Sequence, residues 1–350
     1  MKNVLIYCRP GFERDALAEI SDKASEHGFY GYGVPAENSG YVLYNTGDDQ
    51  GGETLIQSLS FNHLIFARQI IAVNDVIDFE KGGRVQALLE AARELPLAED
   101  IWFETADTNE AKALAGLIKK IEKPLMGAWK KAGLLRKKAV GIRHHVFFME
   151  GNQAYLGVSY QSCRSEFLSG IRRLRFPSKG PSRSTLKLEE ALLQFVPEQR
   201  RERDLYEGMH AVDLGAAPGG WTYQFVIRGI HTYAVDNGPM QKELMNTGLV
   251  SHMTEDGFKF KPPGKVDWLV CDMVERPILV AELMAKWLCE GWTQRAIFNL
   301  KLPMKKRYQE VVQCFELIAS QLKQQGLKYE MQYKHLYHDR EEITVCVMVK

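Results

Sequence analysis

Two lysines and a series of carboxylates stand where the apolar runs of this chain end. Lys301 closes the run Ile297-Phe298-Asn299-Leu300 and precedes Leu302-Pro303. A lysine at the end of a buried strand is unusual, because its charge needs a partner. Lys187 lies one turn into a helical pattern that begins after Ser184, where its charge opposes the helix dipole. Asp272 ends the run Trp268-Leu269-Val270-Cys271. Asp236 ends the run 231–235, twenty-one positions after Gly215, a spacing that suits a carboxylate accepting hydrogen bonds from a ribose. Asp256, in Glu255-Asp256-Gly257-Phe258, follows the next expected strand and is placed to accept from an adenine amino group. A lone aspartate at such a position is usually a cap or turn residue. Three in succession at one sheet edge ask for a ligand. Glu341 and Glu342 precede the final apolar run. Glu342 abuts the strand and is oriented by the sheet, whereas Glu341 falls one residue earlier in the loop.

The run DLGAAPGGWT, beginning at Asp213, holds these groups around a common turn. It joins a short apolar stretch, Met209 to Val212, to a helical pattern over Tyr223 to Ile227, so it reads as strand, glycine turn and helix start. Gly215 takes the tight bend, and Gly219 and Gly220 leave backbone room for a ligand. Neither a dinucleotide fingerprint nor a phosphate-binding P-loop fits: G-x-G-x-x-G does not occur, and no Gly-Lys-Ser/Thr follows.

The elements that carry this turn alternate between strand and helix. Ser182-Arg183-Ser184-Thr185 caps a helix over Leu186 to Phe195. Strands are expected at Ala211–Leu214, His231–Val235, Val266–Cys271, Ala296–Leu300, Lys328–Tyr333 and Ile343–Val349, with helices at Val280–Leu288 and Tyr308–Leu322. This order predicts an α/β fold with a doubly wound, mostly parallel sheet, in which ligands sit beyond the carboxyl ends of the strands.

The N-terminal part differs in character. Residues 1–60 read as a small α/β module: a strand at 3–8, a helix through Leu17, Ile20 and Ala24, a strand at Tyr41–Tyr44, and a loop holding Asp48, Asp49, Gly51 and Gly52. Beyond it come a strand at Arg68–Val73, a helix at Arg84–Leu95, a strand at Ile101–Glu104, and a helix from Ala111 that Pro124 restarts. A hairpin then joins His145–Met149 to Ala154–Val158. The stretch 160–183 interleaves arginines with Phe167, Leu174 and Phe176 and reads as a basic linker.

A net charge of +1 conceals strong segregation. Residues 1–60 carry four Lys/Arg against nine Asp/Glu, whereas residues 111–145 carry ten Lys/Arg against Glu122 alone. That basic stretch, with Trp129, His144 and His145 nearby, points to nucleic acid. The six cysteines are scattered with no CxxC pair, which argues against zinc or a disulfide framework and for a reducing, cytoplasmic setting. The apolar stretch before Cys8 is too short for a signal peptide, and no run is long enough to span a membrane.

The Pro-Gly-Gly-Trp end of the glycine run resembles the cofactor loop of S-adenosylmethionine (SAM) methyltransferases that modify RNA ribose. Lys187, Asp272, Lys301 and Glu342 together resemble the Lys-Asp-Lys-Glu tetrad of FtsJ-type ribose 2′-O-methyltransferases. The strings SRSTLKLEEA, DLGAAPGGW, CDM, NLKLPMKKR and HDREEITV match in order. The middle segment resembles a THUMP domain, an RNA-binding module. Over its full length the chain resembles the bacterial 23S rRNA 2′-O-ribose methyltransferase M family, which methylates one cytidine of large-subunit rRNA.

The resemblance implies a layout of a 1–60 module, a THUMP-like region over 61–160, a linker over 161–183 and a Rossmann-like methyltransferase domain over 184–350. It implies SAM as cofactor, held by Ser184, Gly215, Ala217, Pro218, Gly219, Gly220, Asp236, Asp256 and Asp272. No metal is called for. The implied partner is 23S rRNA, with neither DNA nor a membrane involved. Lys301 would be the general base on the ribose 2′-hydroxyl, Asp272 would orient it, and Glu342 and Lys187 would position the ribose and the amine.

Three other readings compete. A nicotinamide-dependent dehydrogenase on the same fold would need the missing fingerprint. An RNA-binding protein with a degenerate methyltransferase fold would not need an intact tetrad. A THUMP-type enzyme acting on tRNA bases would carry Asn/Asp-Pro-Pro-aromatic where this chain reads CDM.

Overall fold

The computed structural model describes every residue except Lys81 and residues 137–140. The chain divides into two compact units, Met1–Arg172 and Arg173–Lys350.

The first unit contains β1 (Asn3–Tyr7), α1 (Glu13–Glu26), β2 (Tyr32–Gly33), β3 (Tyr41–Asn45), α2 (Gly51–Ser58), β4 (Gln69–Val73) and β5 (Ile77–Asp78). It continues with α3 (Arg84–Ala92), β6 (Asp100–Thr105), α4 (Ala115–Lys131), β7 (Ile142–Glu150) and β8 (Gln153–Tyr160). One sheet runs through it in the order β2-β3-β1-β4-β8-β7-β6, and β5 pairs with β8. The segments read from sequence as separate at residue 60 therefore share a sheet, because β4 pairs with both β1 and β8.

Two local readings are corrected here. Gly51 and Gly52 open α2 rather than a loop. They are small because the helix start lies on the N-terminal strand, where a Cβ at Gly52 would come within 2.6 Å of the Asn3 carbonyl oxygen. Pro124 does not restart a helix; α4 runs through it.

The aromatic and histidine residues of the basic stretch are also corrected. Trp129, His144 and His145 are buried in this unit and are not offered to RNA. Trp129 donates its indole N–H to His144 Nδ1 at 3.0 Å, and the other ring nitrogen of His144 lies 2.7 Å from the Pro96 carbonyl. His145 lies between Glu104 (2.6 Å) and Ser159 (2.7 Å), in the order of a hydrolase triad. All three members are buried, so this line of bonds is a packing device. Tyr7 donates to the same Glu104 carboxylate, and so does the backbone N–H of Ser169. The first part of the expected linker is thereby fastened to the sheet: Ser165 and Gln69 exchange hydrogen bonds, and Arg143 reaches the Ser165 carbonyl and Glu166.

The second unit contains α5 (Thr185–Phe195), α6 (Glu198–Asp204), β9 (His210–Leu214), α7 (Gly220–Val226), β10 (His231–Val235), α8 (Lys242–Met245) and β11 (Val250–Met253). It ends with β12 (Trp268–Cys271), α9 (Pro277–Cys289), β13 (Arg295–Lys301), α10 (Arg307–Gln324), β14 (Tyr329–Lys334) and β15 (Glu342–Val349). Its sheet has the order β11-β10-β9-β12-β13-β15-β14. The strands from β11 to β13 pair in parallel, and β15 pairs antiparallel with both β13 and β14. This is the doubly wound, mostly parallel α/β sheet expected from the sequence. α5 packs Leu188, Ala191, Leu192 and Phe195 against Trp221, Phe225 and Trp268 in one core cluster.

Candidate active site

The antiparallel register of β13 and β15 builds the centre of the site. It sets Lys301 opposite Glu342 and Asn299 opposite Thr344. Side chains two residues apart on a strand share a face, so these four groups form one cross-strand patch. Asp272 joins it from the neighbouring parallel strand β12, just past Cys271. α5 adds Lys187.

The contacts close into a ring. Lys187 Nζ lies 2.6 Å from Glu342 Oε1 and 3.4 Å from Asp272 Oδ2. Lys301 Nζ donates to Asp272 Oδ1 and lies 3.8 Å from Glu342 Oε2. Two ammonium groups face two carboxylates, so the cluster balances its own charge in a half-buried place where an unpaired charge would be costly. Glu341 is not part of it. That side chain is exposed and pairs with Arg307 at 3.0 Å.

Burial pulls the Lys187 amine down, but Asp272 and Glu342 outweigh it and hold its pKa above the ordinary lysine value. Lys187 is therefore a fixed cation.

Asn299 and Thr344 support the ring from below. Asn299 donates to Asp272 Oδ1 at 3.0 Å and accepts from Thr344 Oγ1 at 2.8 Å. Thr344 also lies within 2.9 Å of Asp339 Oδ2. Both residues are fully buried, and sequence reasoning passed over both. The available signal was their spacing: each is a polar residue inside an apolar strand, two positions from a tetrad member.

Beside the ring is a cavity of about 440 Å³. Of the expected cofactor residues, Gly215, Ala217, Asp236, Asp256 and Asp272 line it. Met273, Gly257 and Phe258 line it as well and were missed. Ser184, Pro218, Gly219 and Gly220 are not among its lining residues; they shape the turn. Gly219 has φ +115°, and a Cβ there would overlap the Leu244 side chain. A Cβ on Gly220 would overlap the Ser184 hydroxyl, which in turn bonds Ser182 at 2.7 Å. Gly215 has φ +79°, and a Cβ there would sit 2.8 Å from the Met273 side chain. The turn thus tolerates nothing but glycine at these points.

The donors and acceptors fit a nucleoside-bearing cofactor. Asp236 accepts from the backbone N–H of Ala217 (3.0 Å) and of Gly238 (2.7 Å), one on each oxygen, which keeps a lone pair on each for a further donor. Asp256 is exposed at the far wall and accepts from Phe258 N–H at 2.9 Å.

Asp213, the first residue of the glycine run, is fully buried below the turn. Thr222 donates to one oxygen at 2.6 Å, and the other oxygen has no partner. Burial, against the Thr222 hydrogen bond and aided by Asp272 and Asp236, pushes its pKa up to about 7. In the unfolded chain the same carboxyl titrates near 4. Between these values the folded state holds a proton that the unfolded state has lost. Stability therefore falls as pH rises from about 4 to about 7 and is level above that. Asp213→Asn should flatten this fall and gain on the order of 1–3 kcal/mol at pH 8. Denaturant titrations at pH 5 and pH 8 that show the same wild-type-to-variant difference would refute it.

A cavity of nucleoside size at the switch point of a mostly parallel sheet, with paired lysines and carboxylates at its lip, fits the class of SAM-dependent methyltransferases. The comparisons with known proteins are more specific. The FtsJ-like methyltransferase family profile matches residues 181–326. The RlmM ferredoxin-like domain matches residues 1–71, and the N-terminal domain of ribosomal RNA large subunit methyltransferase M matches residues 83–160. A protein named ribosomal RNA large subunit methyltransferase M from Marinomonas sp. (strain MWYL1) is 71% identical over 350 residues, covering all of both chains. One of the same name from Haemophilus influenzae (strain PittGG) is 49% identical over 362 residues, again covering all of both. The chain belongs to the ribosomal RNA large subunit methyltransferase M family. That membership sets aside the dehydrogenase reading. Among the described residues, no helix is long and apolar enough to cross a membrane.

Proposed function

We propose that this chain methylates the ribose 2′-hydroxyl of a cytidine in 23S rRNA, with Lys301 as general base. The observation that carries the roles is the closed ring of Lys187, Glu342, Lys301 and Asp272 beside the cavity. SAM, when bound, supplies an electrophilic methyl group and a sulfonium charge that opposes further positive charge in the site. A 2′-hydroxyl is a poor nucleophile until its proton is taken. Lys301 takes that proton at Nζ after its ammonium has given up a proton of its own to solvent. Asp272 orients Nζ, and Asn299 fixes Asp272. Lys187, held as a cation, contacts both carboxylates and shares them with Lys301. Glu342 orients the ribose. Asp236 and Asp256 accept hydrogen bonds from the cofactor's nucleoside, and the 215–220 turn and Ser184 fix the backbone around it. The work lies in the cytoplasm, where the rRNA is.

The test is to map 2′-O-methylation in 23S rRNA from a strain lacking this chain. One methylated cytidine should be lost, and wild-type chain should restore it where Lys301→Ala does not. An unchanged methylation map would end the proposal.

Residues 1–172 serve in this reading as the rRNA-binding unit. The exposed lysines of α4, Lys119, Lys120, Lys123, Lys130 and Lys131, remain as its electrostatic footprint. Lys137 and Lys138, from the same basic run, lie outside the described residues. Changing these α4 lysines to alanine should flatten the plot of log affinity against log salt by about 0.7 for each phosphate contact to a single strand. An unchanged slope would leave them a solvated face.

A further inference from the structure

Met304 and Val274 are the most exposed large apolar side chains among the described residues, at 93% and 89%. Single exposed apolar residues are common and by themselves mean little. These two are distinguished by position. Val274 comes two residues after Asp272, and Met304 three after Lys301. Because β12 and β13 are parallel neighbours, both loops leave the same sheet edge side by side.

The loop that carries Met304 is anchored at both ends. Leu302 N–H donates to the Glu341 carbonyl at 2.7 Å. Arg307 donates through Nε to the Pro303 carbonyl at 3.2 Å and pairs with Glu341 at 3.0 Å. Lys306 turns the chain into α10 with φ 55°. Between these anchors the loop projects three consecutive exposed side chains, Met304, Lys305 and Lys306. Three residues span at most roughly 10 Å, so the methionine stays within a nucleotide's length of the Lys301 backbone.

A thioether beside two ammonium groups matches the chemistry of one nucleotide. The polarizable sulfur suits a base face, and the ammonium groups suit the flanking phosphates. We infer that Met304 is a positioning residue that packs against the base of the nucleotide being methylated, while Lys305 and Lys306 hold its phosphates. The ribose is thereby held with its 2′-hydroxyl toward Lys301. This rests on the ribose-methylation reading above. It adds a contact to the base, which the tetrad does not make.

The test uses the full chain, labelled SAM and 23S rRNA extracted from a strain lacking this chain. Met304→Ala should lower kcat/KM for the rRNA about tenfold, the scale of exposing one buried methionine side chain. SAM affinity by calorimetry and the melting temperature should not move, because the side chain is already in water. Met304→Leu should restore most of the loss, since it keeps the apolar volume. Lys305→Ala should instead reduce the salt slope of rRNA binding by about 0.7. Met304→Ala with wild-type kcat/KM overturns the inference and leaves the ribose reading intact. A parallel loss of SAM affinity also overturns it, by moving the contact to the cofactor. A wild-type chain that places no methyl group on this rRNA removes both readings together.

Discussion

Lys301→Ala should lower the methyl-transfer rate by at least about 10²–10⁴-fold, the range for losing a general base, while both substrates still bind. The variant removes one of the two ammonium groups facing Asp272 and Glu342 and leaves Lys187 as their counter-ion. That change gives the pocket more negative character, so affinity for a sulfonium cofactor should hold or rise slightly. Loss of rate without loss of SAM affinity is therefore the signature of a base. It differs from what removal of Lys187 should give, because that loss leaves Lys301 as the remaining lysine against both carboxylates. Lys301→Arg should not rescue, since a guanidinium remains charged and cannot accept the proton. In single-turnover experiments the wild-type rate should rise with pH, and the alanine variant should lose that rise. A variant that methylates near the wild-type rate would make Lys301 structural and pass the base role to Lys187 or to solvent.

Most members of this site were legible in the sequence because they sit at a strand end or inside the glycine run, where local pattern marks position, and Lys187 because its charge opposes the dipole at the start of α5. That Lys301 and Glu342 work together came from the resemblance to a known tetrad; the register that sets them opposite each other was not legible. They are forty-one residues apart, and they meet only because β15 inserts antiparallel between β13 and β14. Asn299 and Thr344 offered only their spacing from Lys301 and Glu342 as a signal, because their hydrogen bond crosses that register. The basic stretch misled in a different way. Ile142–Glu150 alternates no polar face with an apolar one, because both faces of β7 are buried. Its arginine and histidines look like a nucleic-acid surface when read alone. Their partners, Asp100, Glu104, Ser159 and the Pro96 carbonyl, come from elsewhere in the fold. Exposed lysines on α4 carry the true basic face, since a helix with few buried residues leaves its charges in water.

Gly170→Ala should destabilise the first unit by about 3–5 kcal/mol, among the largest single-residue effects expected outside the catalytic ring. Gly170 has φ +69°, and a Cβ there would overlap the Arg68 carbonyl group. The obstacle is backbone, so no side-chain rotation relieves it. The left-handed conformation alone costs an alanine roughly 1–2 kcal/mol. Gly133→Ala isolates that part, because Gly133 has φ +73° with nothing within 4 Å of its Cβ position. The remainder comes from what the displaced segment releases. Glu104 loses the Ser169 N–H, Gln69 loses Ser165, and Arg143 loses the Ser165 carbonyl, all in buried or nearly buried places. An unsatisfied buried group costs about 1–3 kcal/mol. Amide exchange should show the change where it arises. Protection in β4, β7 and β8 should fall by roughly 10²–10³-fold, while β9, β12 and β13 keep theirs because they belong to the other unit. SAM affinity should likewise be unchanged. If Gly170→Ala costs no more than Gly133→Ala, residues 163–172 are a true linker lying loosely on the sheet, and the hydrogen bonds that fasten them add nothing to the stability of the unit.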